Sequence, residues 1–289
     1  MKAMPKSSKK TIALFPNLKK SRAKTISIGI REFLQNRDVR VASIDEIAKE
    51  IGTTPISRIA PEEVDLIISL GGDGTILGVM QQFPEIEAPI VGINLGSLGF
   101  MADIPLTEIY PTLEDLLQGN YTVQERLMIE AESSSGSHCY ALNEMVVHRA
   151  QNPCLIDLAL HVDGIYLNTF SADGLIISTP SGSTAYSLAA GGPILAPDLE
   201  ALVITPISPH TVSNRPIVLM PKEEIQLQYI SECRPIEVTY DGFASISMKT
   251  GEVFHIFPSK KRFRLINLPH HDYYSTLRKK LGWSGKLKT

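Results

Sequence analysis

The sharpest constraint on the fold is a change of texture at residues 64–75. Val64-Asp65-Leu66-Ile67-Ile68-Ser69, a short run rich in branched aliphatics, breaks into Leu70-Gly71-Gly72-Asp73-Gly74-Thr75. A run of that length, bounded by glycine, reads as a strand buried on both faces of a parallel sheet. The glycines turn the chain and remove the Cβ atoms that would hold a ligand off the backbone, so successive N–H groups can face phosphate oxygens. Asp73 is the odd residue, because a carboxylate among amides set up for an anion is unfavourable unless it holds a metal or takes a proton. A plain Gly-Asp-Gly turn would need no ligand. The second glycine and Thr75 favour phosphate binding at Gly71, Gly72, Gly74 and Thr75, with Asp73 carrying chemistry.

Around this turn, strands and helices alternate. Thr11 to Phe15 reads as a strand ended by Pro16-Asn17, Ser21 to Gln35 has helical spacing through Ile26, Ile30 and Leu34, and Val39-Arg40-Val41 fits a second strand. Thr75 to Gln82 follows as a helix and Pro89 to Asn94 as another buried strand. This alternation predicts a doubly wound, Rossmann-like parallel sheet, which takes ligands at the C-terminal ends of its strands. Asn94 to Phe100 lies at one such end and is a candidate second loop of the site.

From about Ile104 the pattern changes. After a helix over Leu106 to Leu117, the chain alternates with period two. In Leu155 to Val162, for instance, Ile156, Leu158, Leu160 and Val162 share one face. Asp163-Gly164 and Asp241-Gly242 read as tight hairpin turns. An all-β, antiparallel β-sandwich domain is therefore expected over residues 104–258. The α/β domain spans residues 1–103 and is joined by 259–289, whose helical stretch from His271 to Trp283 packs back on it. Asp163 and Asp241 read as turn formers before ligands, although strand position could bring Asp241 to a pocket.

Composition excludes several classes. With 43% hydrophobic residues in 289 the chain is globular, and a net charge of -3 gives no general pull towards nucleic acid. Cys139, Cys154 and Cys233 are odd in number, lack metal-ligand spacing and read as ordinary thiols in a reducing compartment. The apolar stretch after the basic segment Lys2 to Lys10 stops at Pro16, too short for a signal-peptide core, and no segment reaches spanning length; the cytoplasm is expected, with no membrane partner. The basic segment itself reads as a disordered terminus.

Two further stretches carry chemistry. Asn143-Glu144 interrupts a strand-like segment; an amide can read a base edge and a carboxylate can accept from ribose hydroxyls, although a solvated strand end would look the same. Asp173-Gly174-Leu175-Ile176-Ile177-Ser178-Thr179-Pro180-Ser181-Gly182-Ser183-Thr184-Ala185-Tyr186-Ser187 runs a buried strand into a hydroxyl-rich turn and then a small-residue helix ending near Gly191-Gly192-Pro193. An N-cap explains one or two of its hydroxyls, not six. Tyr186 adds a face for stacking.

In that order, the glycine turn, Asn143-Glu144, the block from Asp173 to Ser187 with Gly191-Gly192-Pro193, Pro206-Ile207-Ser208-Pro209-His210, Asn214-Arg215-Pro216 and Leu281-Gly282-Trp283 resemble the NAD kinase family over nearly the whole chain. The glycine turn alone is shared with lipid kinases and phosphofructokinases; the long second block narrows the resemblance to NAD. It implies phosphoryl transfer from ATP, another nucleotide or polyphosphate to the 2′-hydroxyl of the adenosine ribose of NAD, with Mg2+ carried largely on the nucleotide and no all-protein metal cage. It further implies that Asp73 is the general base or a metal-linked carboxylate, and that Asn143 meets adenine and Glu144 a ribose hydroxyl. Asp173 would meet the nicotinamide carboxamide side. Ser181, Thr184, Ala185 and Tyr186 would line the adenosine pocket, with Ser187, Leu188 and Ala189 following as binding candidates. A homo-oligomer, dimer or tetramer, is implied too. Asp241, Phe243, His210 and Arg215 receive no role, and His148 and His161 read as surface or satisfied residues. The alternatives are a lipid kinase of the same superfamily, for which no amphipathic basic helix is evident, and a catalytically silent NAD(H)-binding regulator, which would have no use for Asp73.

Overall fold

The computed structural model describes residues 9–211, 213–220, 224–283 and 285; most of the basic N-terminal segment lies outside them. The chain divides into two units, one running up to Gln124 and resuming at Arg264, the other Glu125–Phe263.

In the first unit β1 (Thr11–Pro16), α1 (Ala23–Gln35), β2 (Arg40–Ser43), α2 (Asp45–Ile51), β3 (Thr54–Pro55), β4 (Leu66–Gly71), α3 (Asp73–Gln82) and β5 (Ile90–Asn94) alternate, followed by α4 (Ile109–Gln118). The strands pair in parallel in the order β3-β2-β1-β4-β5, and Leu265 pairs in parallel with Ile90 beyond β5. This is the doubly wound arrangement, whose strand order reverses between β1 and β4, the position where such sheets bind ligands. Every residue of β1 and β4 is buried, as their unbroken apolar runs require. Ile12, Leu14, Leu66, Ile68 and Leu70 share a core with Ile30 and Leu34 of α1.

Ile109, Leu113 and Leu116 of α4 belong to that same core. Residues 104–124, expected to open the second domain, are therefore part of the first, because the apolar stripe of α4 has its partner there. At the other boundary, residues 259–263 fall in the second unit. The C-terminal helix Tyr273–Leu281 packs on the first unit as expected, with Leu277 buried and Lys280 Nζ donating to Leu98 O at 2.7 Å.

The second unit contains β6 (Thr122–Ser133), β7 (His138–Ala141), β8 (Glu144–His148), β9 (Ile156–Val162), β10 (Ile165–Ala172), β11 (Gly174–Ser178), α5 (Tyr186–Ala189), β12 (Leu202–Ile207), β13 (Ile217–Leu219), β14 (Ile225–Tyr229), β15 (Ile236–Tyr240), β16 (Ala244–Met248) and the start of β17 (Val253–Asn267). One sheet runs β13-β12-β11-β8-β15-β16; the other runs β10-β9-β14-β17, with β6 on β17 and β7 on β6. Met145, Val147, Leu175 and Ile177 from the first sheet share a core with Ile156, Leu158, Leu160, Leu227, Phe254 and Ile256 from the second, giving the antiparallel sandwich. Both Asp-Gly pairs form turns with left-handed backbone: φ is 49° and 79° at Asp163-Gly164, and 48° and 70° at Asp241-Gly242. The small-residue helix expected up to Gly191 is only the single turn α5.

Candidate active site

In the first unit the glycine turn joins the buried β4 to α3, so the free N–H groups of the helix N-terminus lie at the C-terminal edge of the sheet. The three glycines have different reasons to be glycine. A Cβ on Gly71 would overlap Thr75 Oγ1, so Gly71 is dictated by packing. Added at Gly72 or Gly74, it would meet nothing within 4 Å, and neither residue needs a left-handed backbone. Among the described residues nothing demands glycine at those two positions. Thr75 Oγ1 accepts the Gly72 N–H at 3.3 Å and closes the turn.

The Asp73 carboxylate is fully oriented. Oδ2 accepts the Phe100 N–H at 2.7 Å, and Oδ1 accepts those of Met101 and Ala102 at 3.0 and 2.8 Å. Asp73 thus fixes the loop after β5, and Gly99 is glycine because a Cβ there would overlap Asp73 Oδ1. Asn94, buried at the end of β5, holds the same loop through the carbonyls of Ser97 and Ala102 and the N–H of Gly96. The Lys280 ammonium lies over the Phe100 ring. Of roughly four lone-pair sites on a carboxylate, three are taken, and the remaining capacity is on Oδ2.

In the second unit Asn143 and Glu144 lie where β8 begins, beside the end of β11 and the turn after β15. Both are more than nine-tenths buried. Among the described residues, Asn143 Oδ1 and Glu144 Oε2 are buried without a hydrogen-bond partner, although such atoms in a folded protein nearly always have one. Burial raises the Glu144 carboxyl to about 8 and the nearby Asp241 carboxylate adds to the rise, against a smaller opposing pull from the Tyr186 backbone. An orphaned amide oxygen beside a carboxyl oxygen is a polar socket for a ligand bearing donors.

Asp241, expected as a turn former that its strand position could bring to a pocket, organises this socket. Its buried carboxylate accepts the N–H groups of Leu142 and Asn143 at 2.8 Å each and of Glu144 at 3.2 Å, while the Asp241 N–H donates to Glu144 O at 3.0 Å. The left-handed turn aims the side chain back along β8. The sequence signal was the Asp-Gly pair; its target, 97–99 residues away in the chain, was invisible.

The hydroxyl-rich turn is more structural than its composition suggested. Ser178, Thr179, Ser183 and Ser187 are completely buried. Thr179 Oγ1 donates to Leu142 O, Ser183 Oγ to Pro180 O, and Ser187 Oγ pairs with Thr205 Oγ1 at 2.9 Å. Gly182 packs directly on the Asn143 backbone. Ser181, Thr184, Ala185 and Leu188 are half-buried, and Tyr186 and Ala189 are exposed. The turn therefore seats Asn143 and leaves Ser181, Thr184 and the Tyr186 ring available.

Asp173 is not brought to this cluster. It precedes β11 at the opposite end of the strand, roughly 20 Å away at about 3.3 Å per residue. It pairs with Arg149, whose Nε lies 2.7 Å from Asp173 Oδ1. Arg149 escaped sequence reading because nothing local marks it. Among the described residues no cluster of three or more His, Cys, Asp or Glu could hold a metal ion.

Residues 13–121 match the family model of the ATP-NAD kinase N-terminal domain and residues 142–268 that of the ATP-NAD kinase C-terminal domain. The chain is 57% identical over 277 residues to an NAD kinase of Protochlamydia amoebophila, covering 96% of this chain and 99% of that protein. It is 41% identical to an NAD kinase of Geotalea daltonii, covering 95% and 99%. Among solved structures, an Archaeoglobus fulgidus NAD kinase in complex with ATP aligns with a TM-score of 0.72 at 27% identity, over 95% of this chain and 99% of that one. The yeast NADH kinase complexed with NADH shares the fold, with a TM-score of 0.83 at 23% identity over 98% and 90%.

Proposed function

The chain belongs to the NAD kinase family, and we propose from that premise how its residues divide the work of phosphorylating NAD. The chain is a phosphotransferase that converts NAD to NADP, with ATP, another nucleotide or polyphosphate as the donor. The observation that carries the acceptor assignment is the pair of orphaned buried atoms, Asn143 Oδ1 and Glu144 Oε2. Adenine offers an exocyclic amino donor to the first and ribose a hydroxyl to the second. Tyr186 supplies an aromatic face, and Ser181, Thr184 and Ala185 line the same ligand. Asp173, outside that cluster and paired with Arg149, is assigned to the nicotinamide carboxamide on family resemblance alone.

The donor phosphates are assigned to Gly72, Gly74 and the first turn of α3, where the absence of Cβ atoms serves no contact among the described residues. Asp73 Oδ2, with capacity left for one more partner, is the atom assigned to the acceptor hydroxyl. There it takes the hydroxyl proton as general base, or meets the metal beside it. A hydroxyl is a poor nucleophile at neutral pH, so orientation and charge neutralisation supply most of the barrier reduction. Magnesium bound to the nucleotide would contribute charge neutralisation across the phosphates. The residues fit a metal brought that way, since Mg2+ needs only one or two carboxylates beside phosphate oxygens. A cytoplasmic homo-oligomer is part of the same reading. Among the described residues no helix is long and apolar enough to cross a membrane.

The test is product formation by purified protein with NAD, ATP and magnesium, read by an enzyme that accepts only NADP. Product that requires both substrates is expected. Binding of NAD without turnover would leave a silent regulator, and phosphorylation of lipid acceptors alone would mean that the socket at Asn143 and Glu144 was misread.

A further inference from the structure

Two of the three cysteines are brought together by the fold. Cys154, in the loop before β9, and Cys233, in the loop after β14, are both exposed, 79 residues apart, with Sγ atoms 3.7 Å from each other. Their loops are already stapled. Asn152 is buried; its Nδ2 donates to Arg234 O at 3.1 Å and its Oδ1 accepts the Arg234 N–H at 3.0 Å. Tyr229, fully buried, donates its hydroxyl to the same Arg234 carbonyl. The sulfurs are thus held near contact by bonds that do not involve them, and a disulfide needs them to close to about 2 Å.

We propose that Cys154 and Cys233 form a reversible intramolecular disulfide that clamps the loop carrying Arg149. The bond forms by exchange with a low-molecular-weight disulfide. One cysteine, as thiolate, attacks a sulfur of that disulfide, breaking its S–S bond, forming a mixed disulfide and expelling one small thiolate. The second cysteine, deprotonated, attacks the protein sulfur of the mixed disulfide and expels the other. Two protein thiols are oxidised, one small disulfide is reduced to two thiols, and the two protons released pass to those thiols. The hydrogen bond with Cys154 makes the Cys233 thiol hold its proton more tightly than usual.

The clamp acts on the Arg149 loop because the loop is continuous with the staple. Asn152 Nδ2 donates also to Arg149 O, and the Arg149 guanidinium bonds Asn152 O and pairs with Asp173. Cys139 serves as an internal control. It is buried, and burial with the Asp241 charge pushes its thiol up to about 12.

The experiment is equilibration of the full-length protein in glutathione buffers of graded redox poise, followed by acid quench, alkylation, intact mass and peptide mapping. Wild type should lose two alkylatable thiols in one transition, with a Cys154–Cys233 linked peptide, a mass lower by about two hydrogens and full recovery on reduction. Cys154→Ser and Cys233→Ser should instead accumulate a mixed glutathione adduct at the remaining cysteine. Hydrogen exchange at 150–155 should slow in the oxidised form. Mixed adducts or cross-linked dimers in wild type would overturn the proposal, and unchanged exchange in a fully oxidised sample would overturn the clamp.

Discussion

Glu144→Gln isolates the physical claim on which the acceptor socket rests. Burial and the Asp241 charge raise the Glu144 carboxyl from 4.5 to about 8, so between those values the folded protein holds a proton that the unfolded chain has lost. Stability then falls as pH rises across that interval, because the folded state binds more protons. Below pH 4.5 both states are protonated and the group costs nothing. Each pH unit is worth about 1.4 kcal/mol, which puts the ceiling at about 5 kcal/mol above pH 8; relaxation around the charge brings the expected value to roughly 2–5 kcal/mol. Glutamine keeps the shape and has no proton to lose. The variant should match wild type near pH 4.5 and exceed it increasingly towards pH 8.5, measured by urea denaturation of the ligand-free protein at a series of pH values. Parallel profiles would show that Glu144 ionises normally, and the socket would then be a wet strand end with no call on a ligand.

Other substitutions separate binding from scaffolding. Gly72→Ala should fold with stability within about 0.5 kcal/mol of wild type but bind ATP more weakly, whereas Gly71→Ala should lose about 1–3 kcal/mol through overpacking on Thr75; equal ATP affinity in Gly72→Ala and wild type would return that glycine to the turn. Asp73→Asn should lower turnover at least about 100-fold. Because it also sets an amide N–H2 against backbone donors, Gly99→Ala, which crowds the same carboxylate without changing its chemistry, is the control; identical kcat losses in both would make Asp73 a positioning residue. Glu144→Ala should weaken NAD binding in calorimetry while leaving ATP affinity unchanged, and unchanged NAD affinity would remove Glu144 from the acceptor site. Asp241→Ala strands three N–H groups at Leu142, Asn143 and Glu144 and should cost roughly 3 kcal/mol or more at about 1–3 kcal/mol each; a smaller loss in denaturation would mean that water replaces the carboxylate there.

What sequence could show was set by how local the physics is. The parallel sheet was legible because β1 and β4 are buried on both faces and carry no alternation, and the sandwich because β9 alternates cleanly around Leu158 and Leu160. The boundary at residue 103 was misplaced because the stripe Ile109-Leu113-Leu116 states that α4 packs, not on what. The turn after β11 was over-read for a related reason: a serine that caps, one that binds a ligand and one that bonds a distant threonine, as Ser187 does, are the same letter. Asp73 and Asp241 show the limit most plainly. Each carboxylate accepts three consecutive backbone N–H groups of a segment remote in sequence, Phe100 to Ala102 for the one and Leu142 to Glu144 for the other. Sequence offered Asp73 as a catalyst or a self-satisfied turn residue and Asp241 as a turn former that strand position could bring to a pocket, whereas both also orient a loop. That device makes chemical sense at a site for anionic, donor-rich ligands. Binding the loop through a carboxylate consumes its N–H groups on one side and fixes the side chains beside them, so Asn143 Oδ1 and Glu144 Oε2, unpaired among the described residues, are held in position ahead of the ligand proposed for them.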